Sequence, residues 1–311
     1  MCYHYIMIVK QNNSTNTIDT STLLQQKLTN IVKNDVSLSN KNFANIDTLL
    51  KEIFSNLSNN TSSKSQILNL LKQLPVFKNF EGLPKEINTL IKNLETNQNT
   101  NQKELTNLKS AIVDIKVFDL NALKSSLSKS GVFLESYIKN FILKHNPQED
   151  FAENIKSTLL KLTESPNEEI KNQANKIISQ LEYFSLFSIV NDSNKIPLNI
   201  DWYDLKEGDI EFFEPIDSFN TCQIHLDLES LGKLNINLSY DKNENVNIAF
   251  VCKEELTKQS IQENFQTLRK QLNNKQIKLQ SLGVHDLKEK ESLEQKFDNS
   301  VSHNYSVDIK A

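Results

Sequence analysis

The sequence predicts an α+β protein, with a helix-rich N-terminal region followed by a small C-terminal antiparallel sheet covered by one helix (β-β-β-α-β). Apolar residues recur at helical spacing through the first part of the chain, and from Cys222 they alternate with polar residues. One more helical stripe follows the alternating runs. These patterns predict a helical, partly flexible region at 1–190, a linker and approach segment at 191–221, an α+β domain at 222–284 and a polar tail at 285–311.

The N-terminal region is predicted to be a series of amphipathic helices separated by polar breaks. Their apolar stripes span Leu24–Val32, Leu49–Leu57, Ile67–Leu74, Ile87–Leu94, Leu105–Ile115, Phe151–Leu162 and Ile170–Phe184. Thr96–Gln102, almost purely Asn, Gln and Thr, is predicted to be a loop or linker. Ser130-Gly131 interrupts a further helical pattern. Because no stripe is sustained as heptads, a long coiled coil is not expected.

The C-terminal part has a period of two, which is typical of strands with one buried face. Strands are predicted at Cys222–Leu228, Leu234–Tyr240 and Val246–Cys252, with a fourth near Ile277–Leu282. A sheet that buries one face needs a cover. Glu254–Asn274 is predicted to supply it as a single helix, with Leu256, Ile261, Phe265, Leu268 and Leu272 on its apolar side.

Composition and charge exclude several classes of function. The formal net charge is −4 and Arg269 is the only arginine, so neither a basic stripe nor an arginine cluster is available to nucleic acid. Apolar runs such as Phe184–Val190 are much shorter than the ~18 residues of a membrane helix, so direct membrane insertion is not expected. Met1–Val9 lacks a basic start and a small-residue cleavage site, so it is not expected to be a secretory signal.

No catalytic centre, metal site or cofactor is predicted, because the sequence lacks a G-x-S-x-G motif, a phosphate loop and histidines at ligand spacing. His225 is expected to be an exposed strand residue, with a partner contact as the alternative. Cys222 and Cys252 are expected to pack as small apolar side chains and not as a redox pair. Asp201-Trp202-Tyr203-Asp204 has the residue types of a sugar site, but a loop that anchors the domain boundary is the preferred interpretation.

The C-terminal pattern resembles that of flagellar hook-length control proteins (FliK). Leu228–Leu238 follows their L-x-x-L-G-x-[VL]-x-[VI]-x-[VL] signature. The strand ending near Phe250, the helix carrying Leu268-Arg269 and the short strand at Ile277–Leu279 come in the family's order. Upstream, Ser130–Ser136 is similar to the family's SG-[LVM]-F-x-E stretch.

Two positions depart from the family pattern. Glu229-Ser230 occupies the stretch where a Pro often precedes the Leu-Gly pair, and Asn273-Asn274-Lys275 stands where a Gly often follows the helix. Because Asn tolerates a left-handed conformation, Asn274 is expected to terminate this helix.

The resemblance implies a non-enzymatic protein of two parts. The first is an exported ruler that senses the length of the growing hook, in contact with hook and hook-cap proteins. The second contacts the cytoplasmic domain of the export-gate membrane protein and switches it from rod and hook substrates to filament substrates. The protein is then cytoplasmic before it is secreted through the flagellar channel. The expected gate-binding residues are Leu231, Gly232, Lys258, Gln262, Arg269 and Lys270.

Two other interpretations remain open at this point. The first is a needle-length regulator of a virulence secretion system, which would also combine a ruler with a substrate switch. A non-exported cytoplasmic helical adaptor, with a coincidental α+β end, differs because it stays inside the cell.

Overall fold

The computed structural model describes residues 82–96, 102–117, 119–132, 154–191, 193–215, 219–243 and 245–286. The helices predicted before residue 82 and the tail beyond residue 286 lie outside these ranges. The chain divides into two compact units, Met1–Trp202 and Tyr203–Ala311.

The described part of the first unit is mainly helical. Its helices are α1 (Leu83–Thr96), α2 (Gln102–Ala111), α3 (Leu120–Lys129), α4 (Ile155–Leu162) and α5 (Glu168–Asn191). Its short strands are β1 (Val113–Asp114), β2 (Ser193–Pro197) and β3 (Ile200–Asp201), with a 3-10 turn at Ile115–Val117. Strands β1 and β3 pair in parallel.

The helices of this unit pack around α5, which is 24 residues long. Helices α1 and α4 both pack on α5, and α2 packs on α1 and α4. The predicted stripes of α1 and α5 form much of this core, which includes Ile87, Leu90, Leu94, Leu159, Ile170, Ala174, Ile177 and Leu181. Burying one such Leu or Ile contributes about 1.5–3 kcal/mol, so packing, and not helix propensity alone, stabilises these helices.

Ion pairs fasten the helices to one another. Lys156 on α4 pairs with Glu182 on α5, and the two side chains are only 5% and 12% exposed. Glu86 on α1 is buried and pairs with Lys176 on α5. Since removing one partner of a buried pair leaves an uncompensated charge, these contacts favour one arrangement of the helices.

The Ser130-Gly131 interruption is the end of α3. Gly131 has φ +88°, the left-handed conformation that often follows a helix and that glycine adopts without steric cost. It also lies against the start of α4, where a Cβ on Gly131 would be 2.7 Å from Lys156 Cβ and 2.8 Å from Asn154 Oδ1. Both the backbone conformation and the close approach therefore require glycine here.

The described part of the second unit contains five strands and two helices. They are β4 (Leu205–Phe213), β5 (Asn220–Leu228), β6 (Gly232–Tyr240), β7 (Asn245–Cys252), α6 (Glu255–Glu263), α7 (Phe265–Asn274) and β8 (Lys278–Asp286). The strands are neighbours in sequence order. The pairs from β4 to β7 are antiparallel, whereas β7 and β8 are parallel. The predicted α+β class is confirmed, and the helical crossover between β7 and β8 accounts for the parallel pair.

The strand β4 was not predicted, because Leu205–Phe213 falls in the segment assigned to the linker. It pairs with β5 over most of its length, with Ile210 opposite Ile224. Asp209 and Glu211 are buried, so the usual alternation of buried apolar and exposed polar residues is lost in this strand. Strands were predicted from that alternation, so nothing in the sequence indicated a strand at Leu205–Phe213.

The prediction of one helix over Glu254–Asn274 is wrong, because Asn264 separates α6 from α7. Asn264 has φ −92° and ψ 0°, and its side-chain amide donates to the carbonyl of Ser260 at 2.8 Å. The break leaves the ring of Phe265 6.3 Å from that of Phe250 on β7. Leu256, predicted on the apolar side, is instead 79% exposed.

The end of α7 also differs from expectation. The left-handed residue is Gln276, with φ +60°, and not Asn274, which is the last residue of the helix. The backbone N–H groups of Lys275 and Ile277 both donate to the carbonyl of Leu272, at 3.0 Å. Gln276 therefore occupies a position that favours glycine. It lies one residue after Asn273-Asn274-Lys275, the stretch where the family often has a Gly.

Gln276→Gly is expected to stabilise the protein by up to about 1 kcal/mol, because glycine adopts this conformation without the steric cost of a side chain. Asn274→Gly, two residues earlier, is the matched control. It is expected to destabilise the protein by a few tenths of a kcal/mol, roughly the difference in helix propensity. Urea unfolding monitored by circular dichroism measures both changes, and an equal effect of the two variants would contradict the assignment.

Candidate functional site

The Leu231-Gly232 turn joins β5 to β6 at one end of the sheet. Gly232 has φ +69°, so the sequence interpretation that Gly permits a strand-entry turn is confirmed. A Cβ on Gly232 would lie 3.5 Å from Glu254 Cγ, which is an ordinary contact. The backbone conformation, and not a lack of space, therefore makes glycine favourable here.

Asp204, just before β4, holds this turn from one side. Its Oδ1 accepts from the Ser230 backbone N–H at 2.9 Å and its Oδ2 accepts from the Ser230 hydroxyl at 2.8 Å. The Asp204 carbonyl accepts from the Glu229 N–H at 2.8 Å. Because proline has no N–H, Ser230 makes a backbone contact that a proline at its position would lose. Within Asp201–Asp204, Asp204 thus anchors a turn, whereas Tyr203 is 94% exposed.

Thr257 on α6 holds the turn from the other side. Its hydroxyl donates to the Leu231 carbonyl at 2.8 Å, and the residue is only 1% exposed. Thr257 and Asp204 each lie 26 residues away in sequence from the turn residue that they contact. Neither was singled out from the sequence as a positioning residue for the turn, because such a distant contact has no local pattern.

Thr257→Val is expected to cost about 1–3 kcal/mol, since it leaves the Leu231 carbonyl without its donor at nearly unchanged volume. Thr257→Ser, which keeps the hydroxyl, is the matched control and is expected to lose less. Urea unfolding of both variants measures the difference. If valine is tolerated as well as serine, the hydrogen bond does not hold the turn.

Lys258 connects α6 to the end of β8. Its ammonium pairs with Asp286 and, at 3.1 Å, with Glu255. The hydrogen bond to Asp286, followed by that to Glu255, raises the pKa of Lys258 above its ordinary value. The side chain is 15% exposed, so Lys258 fastens elements of the domain to each other.

The six residues predicted to bind the export gate do not form one cluster of contacts. Leu231, Gly232 and Lys258 lie at the same end of the sheet, since Thr257 contacts Leu231 and Lys258 contacts the last residue of β8. Gln262 is exposed one turn further along α6. Arg269, half-buried, and Lys270, exposed, lie beyond the break on α7.

His225, Cys222 and Cys252, the other residues considered in the sequence, lie within the strands of the sheet. His225 is 28% exposed, and its Nδ1 lies 2.8 Å from Asp209 Oδ1 on the neighbouring strand, so the expectation of a simple exposed histidine is wrong. Cys222 on β5 is paired with Leu238 near the end of β6, whereas Cys252 on β7 is paired with Leu234 near its start. The two cysteines form no disulfide. Burial raises the pKa of the Cys252 thiol, which favours the unreactive protonated form.

Within the described ranges, no three His, Cys, Asp or Glu side chains are grouped as metal ligands would be. The helices in the same ranges include none with the length and hydrophobicity of a membrane span.

The second unit is thus a small α+β domain in which Asp204 and Thr257 hold a Leu-Gly turn. Residues 213–292 match the family model described as flagellar hook-length control protein FliK. The match covers about a quarter of the length of the chain. The family is structural and regulatory, not enzymatic, and is associated with the flagellum. Comparison with curated proteins gives no match, and neither does comparison with solved structures.

Proposed function

We propose that this protein controls flagellar hook length as an exported ruler whose C-terminal domain switches the export gate from rod and hook substrates to filament substrates. The observation that carries the proposal is the family match over residues 213–292. It favours a flagellar role over a needle-length regulator and over a non-exported adaptor. The switch is a contact between proteins, and no bond is made or broken.

The proposed contact surface is centred on the Leu231-Gly232 turn. Hydrogen bonds from Ser230 to Asp204 and from Thr257 to Leu231 hold this turn in one conformation. A surface that is already rigid loses less conformational entropy when it binds. Gln262, Arg269 and Lys270 extend the surface along α6 and α7, where the two cations suit an acidic patch of the gate. Lys258, paired within the domain, positions α6.

A ruler must span the length of the hook, and a chain packed into helices is much shorter than an extended one. Helix α5, the longest in the described part of the chain, spans only about 36 Å at ~1.5 Å per residue. Roughly 200 stretched residues reach about 660–720 Å. The helical unit is therefore proposed to unfold during export, when the chain measures the hook.

Deleting the gene is expected to produce overlong hooks of variable length that carry no filaments. Electron microscopy of hooks from the deletion strain tests this, with re-expression of the full chain as the control that restores hook length. Normal hooks bearing filaments in the deletion strain would reject the proposal.

A further inference from the structure

Arg269 on α7 is the only arginine in a chain that has 35 Lys and Arg residues in total. Helix formation does not account for this choice, because Lys and Arg form helices almost equally well. The two side chains differ in what they recognise. A guanidinium is a planar fork that binds one carboxylate through two parallel hydrogen bonds, whereas an ammonium is a compact point charge. An arginine at this position alone therefore points to recognition of a carboxylate.

The guanidinium of Arg269 makes no hydrogen bond or ion pair with the residues that the structure describes. The side chain is nonetheless half-buried. Lys258 on the neighbouring helix differs, because its ammonium is paired with Asp286 and Glu255. A guanidinium has five N–H donors and no acceptor. The donors of Arg269 are therefore available to another molecule.

The charge of the chain around Arg269 is uniformly positive. Between Glu263 and Asp286 the chain has no Asp or Glu and four cations, which are Arg269, Lys270, Lys275 and Lys278. This stretch contrasts with the net charge of −4 for the whole chain. Such a surface attracts an acidic partner, and no carboxylate within the stretch competes for Arg269.

Apolar side chains lie beside Arg269 on the same helix. Phe265 is four residues before it and Leu272 three residues after it, the spacings that make helix residues neighbours. Both are half-exposed, as is Leu268, and none of the ten residues of α7 is buried although the helix packs on β8. An arginine flanked by apolar surface is typical of the centre of an interface, where side chains that exclude water strengthen a charged contact.

We propose that Arg269 binds a carboxylate of the export gate through both sides of its guanidinium, while Phe265, Leu268 and Leu272 pack against apolar residues next to that carboxylate. The partner segment therefore carries an Asp or Glu among apolar side chains. This inference rests on the proposed contact with the gate and names the chemistry of that contact. Lys270, which is exposed, contributes attraction at longer range.

Calorimetric titration of the full-length chain with the purified cytoplasmic domain of the gate protein tests the proposal. Arg269→Met keeps an apolar stem but removes the charge, and it is expected to weaken binding about thirtyfold or more, the loss typical of a central interface residue. Arg269→Lys keeps the charge but not the fork, and a loss of about fivefold or more is expected. Lys242→Met, at an exposed position in the turn between β6 and β7, is the control for lost charge and is expected to bind as the wild type does.

Two further measurements separate this proposal from its alternatives. Between about 0.05 and 0.5 M NaCl, the wild type is expected to lose more affinity than Arg269→Met, because salt screens the charge pair. Urea unfolding midpoints of the two Arg269 variants are expected to match that of the wild type. A clear fall in these midpoints would overturn the proposal, since Arg269 would then be paired within its own chain.

The titration also distinguishes the proposal from the function on which it rests. If the wild type binds the gate domain and Arg269→Lys binds equally well, recognition by the guanidinium is wrong while the gate contact stands. If the wild type does not bind the gate domain at all, the gate contact and this inference are both wrong.

Discussion

Leu234→Asp is expected to unfold the second unit. Leu234 is 7% exposed on the central strand β6, where it is paired between Leu226 and Cys252. The variant places a carboxylate among apolar side chains without a partner, and such changes cost about 4 kcal/mol or more. A domain of this small size has a net stability of only about 5 kcal/mol, the lower end of the usual range.

Urea unfolding, followed by circular dichroism, measures the effect of Leu234→Asp. Asn235→Asp is the control, because it introduces the same side chain at the neighbouring residue, which lies half-exposed on the opposite face of β6. The control is expected to keep the unfolding midpoint close to that of the wild type. Similar midpoints for the two variants would mean that Leu234 does not lie in a packed core.

Gly131→Ala is expected to destabilise the first unit by about 1.5–4 kcal/mol. The left-handed backbone at φ +88° accounts for about 1–2 kcal/mol. The new methyl group also collides with Asn154 Oδ1, which caps α4 by accepting from the Lys156 N–H at 2.9 Å. Moving Asn154 weakens that cap, a further loss of about 0.5–2 kcal/mol.

Thermal unfolding of the full chain tests the prediction for Gly131. Ser128→Ala is the control, since Ser128 is exposed on the same helix and the substitution also ends in alanine. A large drop in the melting temperature for Gly131→Ala, with little change for Ser128→Ala, is the expected pattern. Equal melting temperatures would show that α3 and α4 do not approach each other as described.

The sequence predicted those parts of the fold that have a regular period. Strands β5, β6 and β7 lie where the alternation placed them, and the stripes of α1 and α5 are buried. The break at Asn264 was missed because the apolar spacing continues across it from Ile261 to Phe265. The left-handed Gln276 was missed because glutamine gives no signal for that conformation.

The candidate site was predictable only at its centre. The Leu231-Gly232 pair carries a local signature, since glycine before an alternating run marks a turn. Asp204 and Thr257, which hold that pair, come from distant parts of the sequence and are recognisable only once the sheet has formed. Lys258 was expected to face a partner, but its charge is used for Asp286 and Glu255, which no pattern of spacing reveals.

The most direct test of the central claim is the set of proteins secreted by cells that carry Leu234→Asp. The variant protein and hook protein are expected to appear in the medium, while hooks are overlong and filament protein is absent. Cells carrying Asn235→Asp are expected to secrete filament protein as the wild type does. Normal secretion of filament protein by Leu234→Asp cells, with the domain unfolded, would contradict the claim that this domain switches the gate.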